Sequence, residues 1–139
     1  MLTRLSAQFR SMPESKLLGR LPDGRSRATA GHELAGLVAL AAQGVEDRAR
    51  PVPPSWRSLP FDGPFVVGDQ IGVTGHDLLA ACAGVAACAD IRADGASGGS
   101  TDGSPATVWA PPSMRCGRAG IGTVLGQVLE AAEDLAGAI

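Results

Sequence analysis

An all-α fold, a small helical bundle of three principal helices plus an N-terminal helical segment, is what the sequence predicts. Three apolar stripes at spacings of three and four predict the helices. Prolines crowded between 51 and 64 and a Gly/Ser-rich run over 94–104 predict two irregular connectors. The 139 residues amount to a single domain, 1–139, within which 92–107 is expected to be a mobile loop.

Residues 2–20 read as helix in one or two pieces. Ser11-Met12-Pro13-Glu14 either opens a helix as a capping box or interrupts one begun at Leu2. Leu21-Pro22-Asp23-Gly24 is a turn, since proline presets φ and glycine accepts the positive φ that follows. The first long helix, 26–47, carries Ala30, Leu34, Leu37, Val38, Ala41 and Val45 on one stripe, with His32, Gln43 and Glu46 on its polar face. From Arg50 to Pro64 the prolines preclude helix, so the chain is extended. Phe65-Val66-Val67 then reads as an apolar loop packed on the bundle.

The second helix, 69–90, runs through Ile71, Leu78, Cys82, Val85 and Ala89, capped by Asp69 or by Thr74 and weakened early by Gly72 and Gly75. The segment Asp94–Ser104 cannot bury enough apolar surface to offset its ordering entropy, while Val108-Trp109-Ala110 docks locally. The third helix, 118–139, shows the cleanest stripe: Ile121, Val124, Leu125, Val128, Ala132, Leu135 and Ile139.

Composition narrows the function classes. Aromatics are 4% of the chain and tyrosine is absent, so the core must be built from small side chains that each bury little area. Burial against a partner would help such a chain. Residues 1–27 carry six basic groups against Glu14 and Asp23, a net of +4, whereas 58–139 carry three against nine acids, a net of −6. The basic end marks Arg20, Arg25 and Arg27 as candidate nucleic-acid contacts, but only Phe9 interleaves with the arginines, so the stacking half of such a surface is missing. Cys82, Cys88 and Cys116 form no CxxC pair. Odd in number, they read as thiols of a reducing compartment, which favours a cytoplasmic location. No apolar h-region opens the chain, and the most apolar run, the 12 residues Leu78–Ala89, is too short to span a bilayer.

The sharpest chemical lead is a repeated Gly-His-acid-Leu pattern at Gly31-His32-Glu33-Leu34 and Gly75-His76-Asp77-Leu78. His32 and His76, with Glu33 or Asp77, make an N/O ligand set suited to Zn²⁺ or another first-row divalent metal. Neighbouring helical residues point about 100° apart, so the set requires both helices to converge. Neither HExxH nor ExxH occurs. A GxGxxxG run over 120–126 lacks the preceding strand of a dinucleotide site, so its glycines read as shaping the helix entry and permitting close helix packing. Arg48-Ala49-Arg50-Pro51-Val52-Pro53-Pro54 fits an RxxPxxP ligand pattern, but such short matches arise often by chance and the segment reads as a spacer joining two helices. Cys116, between Arg115 and Arg118, has no histidine near it in sequence to act as a base, and no serine-nucleophile motif is present.

The function expected is therefore a non-enzymatic interaction or regulatory protein without a cofactor, self-associating or binding a partner helix. Val124, Val128, Leu135 and Ile139 are the expected partner-binding stripe. A metal-dependent protein is the alternative, and nucleic-acid binding is the weaker one.

Overall fold

The computed structural model describes residues 1–95 and 106–139, with side chains described for 1–86 and 106–139. Most of the loop expected at 92–107 lies outside the described residues. The chain is all-α. Helix α1 spans Leu2–Ser11 and α2 spans Glu14–Leu17, so the N-terminal segment is two pieces, broken where Pro13 removes a backbone donor. Leu21–Gly24 closes as a turn, with Gly24 N donating to Leu21 O (2.9 Å) and Gly24 at φ +88. An antiparallel bridge between Arg20 and Ser26 makes the turn a miniature hairpin, which periodicity alone did not reveal.

Ser26 then caps α3 (Arg27–Glu46), its hydroxyl accepting from Thr29 N at 3.0 Å. Helix α3 is the hub of the bundle. Ala30, Leu34, Ala35, Val38, Ala41, Ala42 and Val45 are all buried, spread around more of its circumference than one amphipathic stripe would occupy. Helix α4 (Val67–Gly95) runs parallel to it, with Gly31 against Val67, His32 beside Gln70, and Gln43 sharing a small cavity with Thr74 and Asp77. Parallel neighbours need a connection that travels the length of the first helix, about 30 Å for twenty residues. The proline-rich connector does this in extended form. It is held on the way by Gln43, whose amide donates to Arg57 O (3.1 Å) and accepts from Arg57 N (2.8 Å).

Two expectations for α4 are corrected. Phe65 and Val66 belong to a 3₁₀ turn, Pro64–Val66, that leads straight into the helix at Val67, so neither Asp69 nor Thr74 is its cap. Asp69 lies in the first turn, and Thr74 is buried, donating back to Gln70 O at 2.8 Å. The helix also runs to Gly95, beyond the predicted end at 90.

The third helix, α5, spans Ile121–Ala138. Residues 118–120, expected to be helical, instead form β2 (Arg118–Gly120), which pairs antiparallel with β1 (Thr107–Trp109) in the register Val108↔Ala119. Gly117, at φ +69, turns the chain into this strand. Helix α5 returns antiparallel to α3 and buries Val124, Val128, Ala132 and Leu135. Gly122 and Gly126 face open space, which overturns the expectation that the 120–126 run permits close packing; the glycines that do so lie on α3 and α4. Among the described residues, no helix is long and apolar enough to cross a membrane.

Candidate interaction groove

Helix α1 lies antiparallel on α4, and glycines set how closely it can sit. A Cβ on Gly68 would come within 2.8 Å of Arg10 Cγ, one on Gly72 within 2.8 Å of Ser6 Oγ, and one on Gly75 within 3.2 Å of Leu2 Cδ1. Ser6, itself buried, donates to Gly68 O at 2.7 Å. At the far end Arg10 pairs with Asp69 at 2.6 Å; both groups are exposed, so the pair orients the helix more than it stabilises it.

Past Met1 the same seam of α4 continues without α1 on it. Leu79, Cys82, Ala83 and Ala86 follow Gly75 at spacings of three and four, on one helical face. Leu79 is 69% exposed, Val73 59% and Met1 51%, large values for apolar side chains on a helix. Between α1, α4 and α5 this leaves an open-sided groove of about 760 Å³, walled by Leu2, Ile71, Leu78 and, from α5, Leu125. Of its polar groups, Thr3, Arg10, His76 and Asp77 are exposed and Ser6 is buried with its hydroxyl already bonded to Gly68 O, while Ile71 and Leu78 are buried. Burial pushes the half-buried Cys82 thiol up from its ordinary pKa, against the opposing charge of Arg48. It lines the groove as a protonated, apolar group rather than a nucleophile.

The metal-ligand candidates are dispersed. His32 Nδ1 lies 3.0 Å from Gln70 Oε1, and Gln70 Nε2 donates to Pro60 O at 2.7 Å. That second bond orients the amide, so His32 Nδ1 carries the proton and the imidazole anchors the connector, with Phe61 edge-on at 5.1 Å. Glu33 pairs with Arg25, His76 lies at the groove, and Asp77 lies between the groove and the small cavity beside Gln43. Among the described residues, no three of His, Cys, Asp and Glu are grouped to hold a metal ion. The repeated pattern has a packing explanation instead. Gly31 and Gly75 each admit a side chain of α1, Phe9 and Leu2 respectively, and Leu34 and Leu78 each enter the core.

The expected partner-binding stripe is also corrected. Val124, Val128 and Leu135 are buried inside the molecule, because the face of α5 that carries them is taken by α3, and Ile139 is half-buried against the core beside Met12 and Pro13. The arginines are drawn into the fold around residues 16–26. Arg20 donates to Gly24 O (2.6 Å), Arg27 to Lys16 O (3.2 Å), and Arg25 is ion-paired with Asp23 (2.6 Å) and Glu33. The hydrogen bonds from Arg25 hold the Asp23 carboxyl below its usual range, and the two acids raise Arg25 in turn. Of the RxxPxxP pattern, Arg48 donates to Val45 O at 2.9 Å and Pro54 is buried, so its first and last residues are engaged internally.

Sequence reasoning placed the apolar surface on α5 and missed the groove. Two signals for it were present: the glycines at 68, 72 and 75, and the absence of any charge from Leu78 to Ala89. No known protein family matches the chain, and no curated protein or solved structure matches it either.

Proposed function

We propose that the chain is a non-enzymatic interaction protein that docks an amphipathic helix in the groove between α1, α4 and α5. The observation that carries this reading is the groove itself: about 760 Å³, with Leu79 and Val73 standing exposed beside it. A small-molecule site of similar volume would present a few convergent polar groups deep in the pocket. Here the buried lining is apolar except for Ser6, whose hydroxyl is taken up by Gly68 O, and the charged groups are exposed. The chemistry of the occupant follows from α1, which uses Leu2, Ser6 and Arg10 along the same seam of α4. A second helix offering leucine-type side chains continues that packing and buries the exposed residues, in the helix-in-groove mode.

A synthetic amphipathic Leu/Ala/Lys helix, titrated into labelled protein and followed by NMR, tests the reading. Shifts concentrated at Leu2, Gly75, Leu79, Cys82 and Leu125 are expected, and they should be lost in Leu79→Asp. Shifts scattered over the surface, or none at all, would sink it.

A further inference from the structure

We propose that the cavity between α1, α2 and the start of α3 binds the phosphate group of a small phosphate monoester. The site is separate from the groove. On α1 it uses Gln8 and Ser11, whereas the groove uses the neighbouring face of Thr3, Ala7 and Arg10, so a ligand in one leaves the other open.

Two cations without an acid mark the cavity as an anion site. It has a volume of about 240 Å³, Lys16 and Arg27 line it together with Gln8 and Ser11, and no acidic side chain contributes to its wall. Arg27 is half-buried and held in place: its backbone N–H donates to Gly19 O at 3.0 Å and its Nη1 to Lys16 O at 3.2 Å. Glycine at 19 leaves the guanidinium room to lie across the end of α2, since a Cβ there would come within 2.6 Å of Nη1 and push it aside. Among the described residues no carboxylate pairs with Arg27 or Lys16, and Ile139, which walls the cavity, brings none into ion-pair range. Nearby arginines show the contrast: Arg25 is held by Asp23 and Glu33, and Arg10 by Asp69. A half-buried guanidinium gives up part of its hydration, and one neutral carbonyl replaces little of it, so its remaining donors gain most from an anion. Arg27 is also the first residue of α3, where the positive end of the helix dipole adds to the excess.

Charge and size select the anion. Two unmatched cations suit a dianion, and a phosphate monoester carries between about 1.5 and 2 negative charges at neutral pH. A carboxylate or a phosphate diester, each with a single charge, would leave one cation unmatched. The fixed arginine offers a planar fork to two phosphate oxygens, and the lysine supplies a point charge to a third. The Gln8 amide adds a neutral donor, whereas the Ser11 hydroxyl is already spent on Gln8 O at 2.9 Å. The volume falls below the roughly 300–1,000 Å³ of pockets that enclose a drug-sized ligand. The cavity therefore takes the head group, with Met12 and Ile139 against the first carbons of the ester, and the remainder stays in solvent. Because Lys16 is exposed, the affinity is on the order of millimolar.

Methyl phosphate, titrated into the labelled full chain at constant ionic strength and at about pH 7.5, where the monoester is doubly charged, is the probe. NMR is expected to show saturable shifts at Gln8, Lys16, Gly19 and Arg27, with dimethyl phosphate and acetate binding roughly tenfold more weakly. The Lys16 ammonium makes no bond within the described residues, so Lys16→Gln should keep its helical circular dichroism and lose roughly tenfold in affinity. Arg27→Gln should abolish saturation, and Arg27→Lys should restore less than half of the affinity because the fork is gone. Three results would each overturn the proposal: no saturable shift in wild type up to roughly a hundredfold above millimolar ligand, shifts spread over exposed arginines such as Arg4, Arg20 and Arg57, or unchanged binding in Lys16→Gln. Equal binding of dimethyl phosphate would point to a phosphodiester backbone instead and overturns the monoester assignment as well.

Discussion

Single residues decide how tightly α3 can be surrounded. A Cβ on Gly44 would overlap the carbonyl oxygen of Trp109 and sit 3.4 Å from the Trp56 ring. The clash is with backbone, which cannot rotate away, and Gly44 is where β1 lies on the helix. Gly36, in the same helix, has nothing within 4 Å of its notional Cβ. The two glycines thus separate packing from propensity. Gly44→Ala is expected to cost at least about 2 kcal/mol through overpacking, whereas Gly36→Ala should stabilise by about 0.5–1 kcal/mol through lower unfolded-state entropy and better helix propensity. Urea denaturation of the pair checks this, and a neutral Gly44→Ala would mean that β1 is not seated on α3. Nothing in the sequence distinguishes the two, since both are lone glycines in an alanine-rich helix. The difference comes mainly from Trp109, far along the chain from Gly44.

Local pattern made the helices legible and left the pieces between them unread. Ser26 followed by the stripe Ala30, Leu34, Val38, Ala41 and Val45 located α3 to within a residue at each end, and Pro13 marked the break between α1 and α2. The β1–β2 pair was not visible because its strands are three residues long and lie on either side of a long connection. Such a ribbon is not stable alone; besides the seat of β1 on α3 at Gly44 and the buried Val108, one side chain ties it down. Arg118 stacks 4.1 Å from the Trp109 ring and donates to Arg48 O (3.0 Å) and Arg50 O (2.7 Å), just beyond the end of α3. A planar fork serves both carbonyls and the ring together, which an ammonium cannot do. Arg118→Ala is expected to destabilise by about 1–2 kcal/mol and to shift tryptophan fluorescence toward a solvated spectrum. Arg118→Lys should recover less than half of the loss. Full recovery by lysine would show that charge, not the fork, holds the ribbon. The groove was illegible for a related reason: the stripe on α5 looked available only because the sequence does not say that α3 lies against it, and the exposed face of α4 looked like core.

At the scale of the whole molecule, the architecture follows from a shortage of large side chains. Phe9 is the one aromatic residue buried in the core among the described residues; the rest is aliphatic, with Ala28, Ala35, Ala41, Ala42 and Ala132 set among leucines and valines such as Leu5, Val38 and Val45. Alanine buries little area per residue, so the bundle also gains stability by drawing helices close at Gly31, Gly68 and Gly72, and strand β1 close at Gly44. Large apolar groups remain outside, with Leu79, Val73 and Met1 together at one groove. If a helix docks in that groove, folding and docking are linked, because anything that binds the folded chain raises its apparent stability by mass action. The melting temperature of wild type should therefore climb as the synthetic helix is added, by a few degrees per tenfold above its dissociation constant for a chain of this size. On that condition Leu79→Asp is expected to remove docking without touching the core, because Leu79 is 69% exposed. Its melting temperature should be independent of helix concentration and equal to the wild-type value without the helix. Calorimetry at matched scan rates measures both. A dependence that persists in Leu79→Asp would place the stabilising contact elsewhere on the surface, and a variant melting well below free wild type would make Leu79 a core residue.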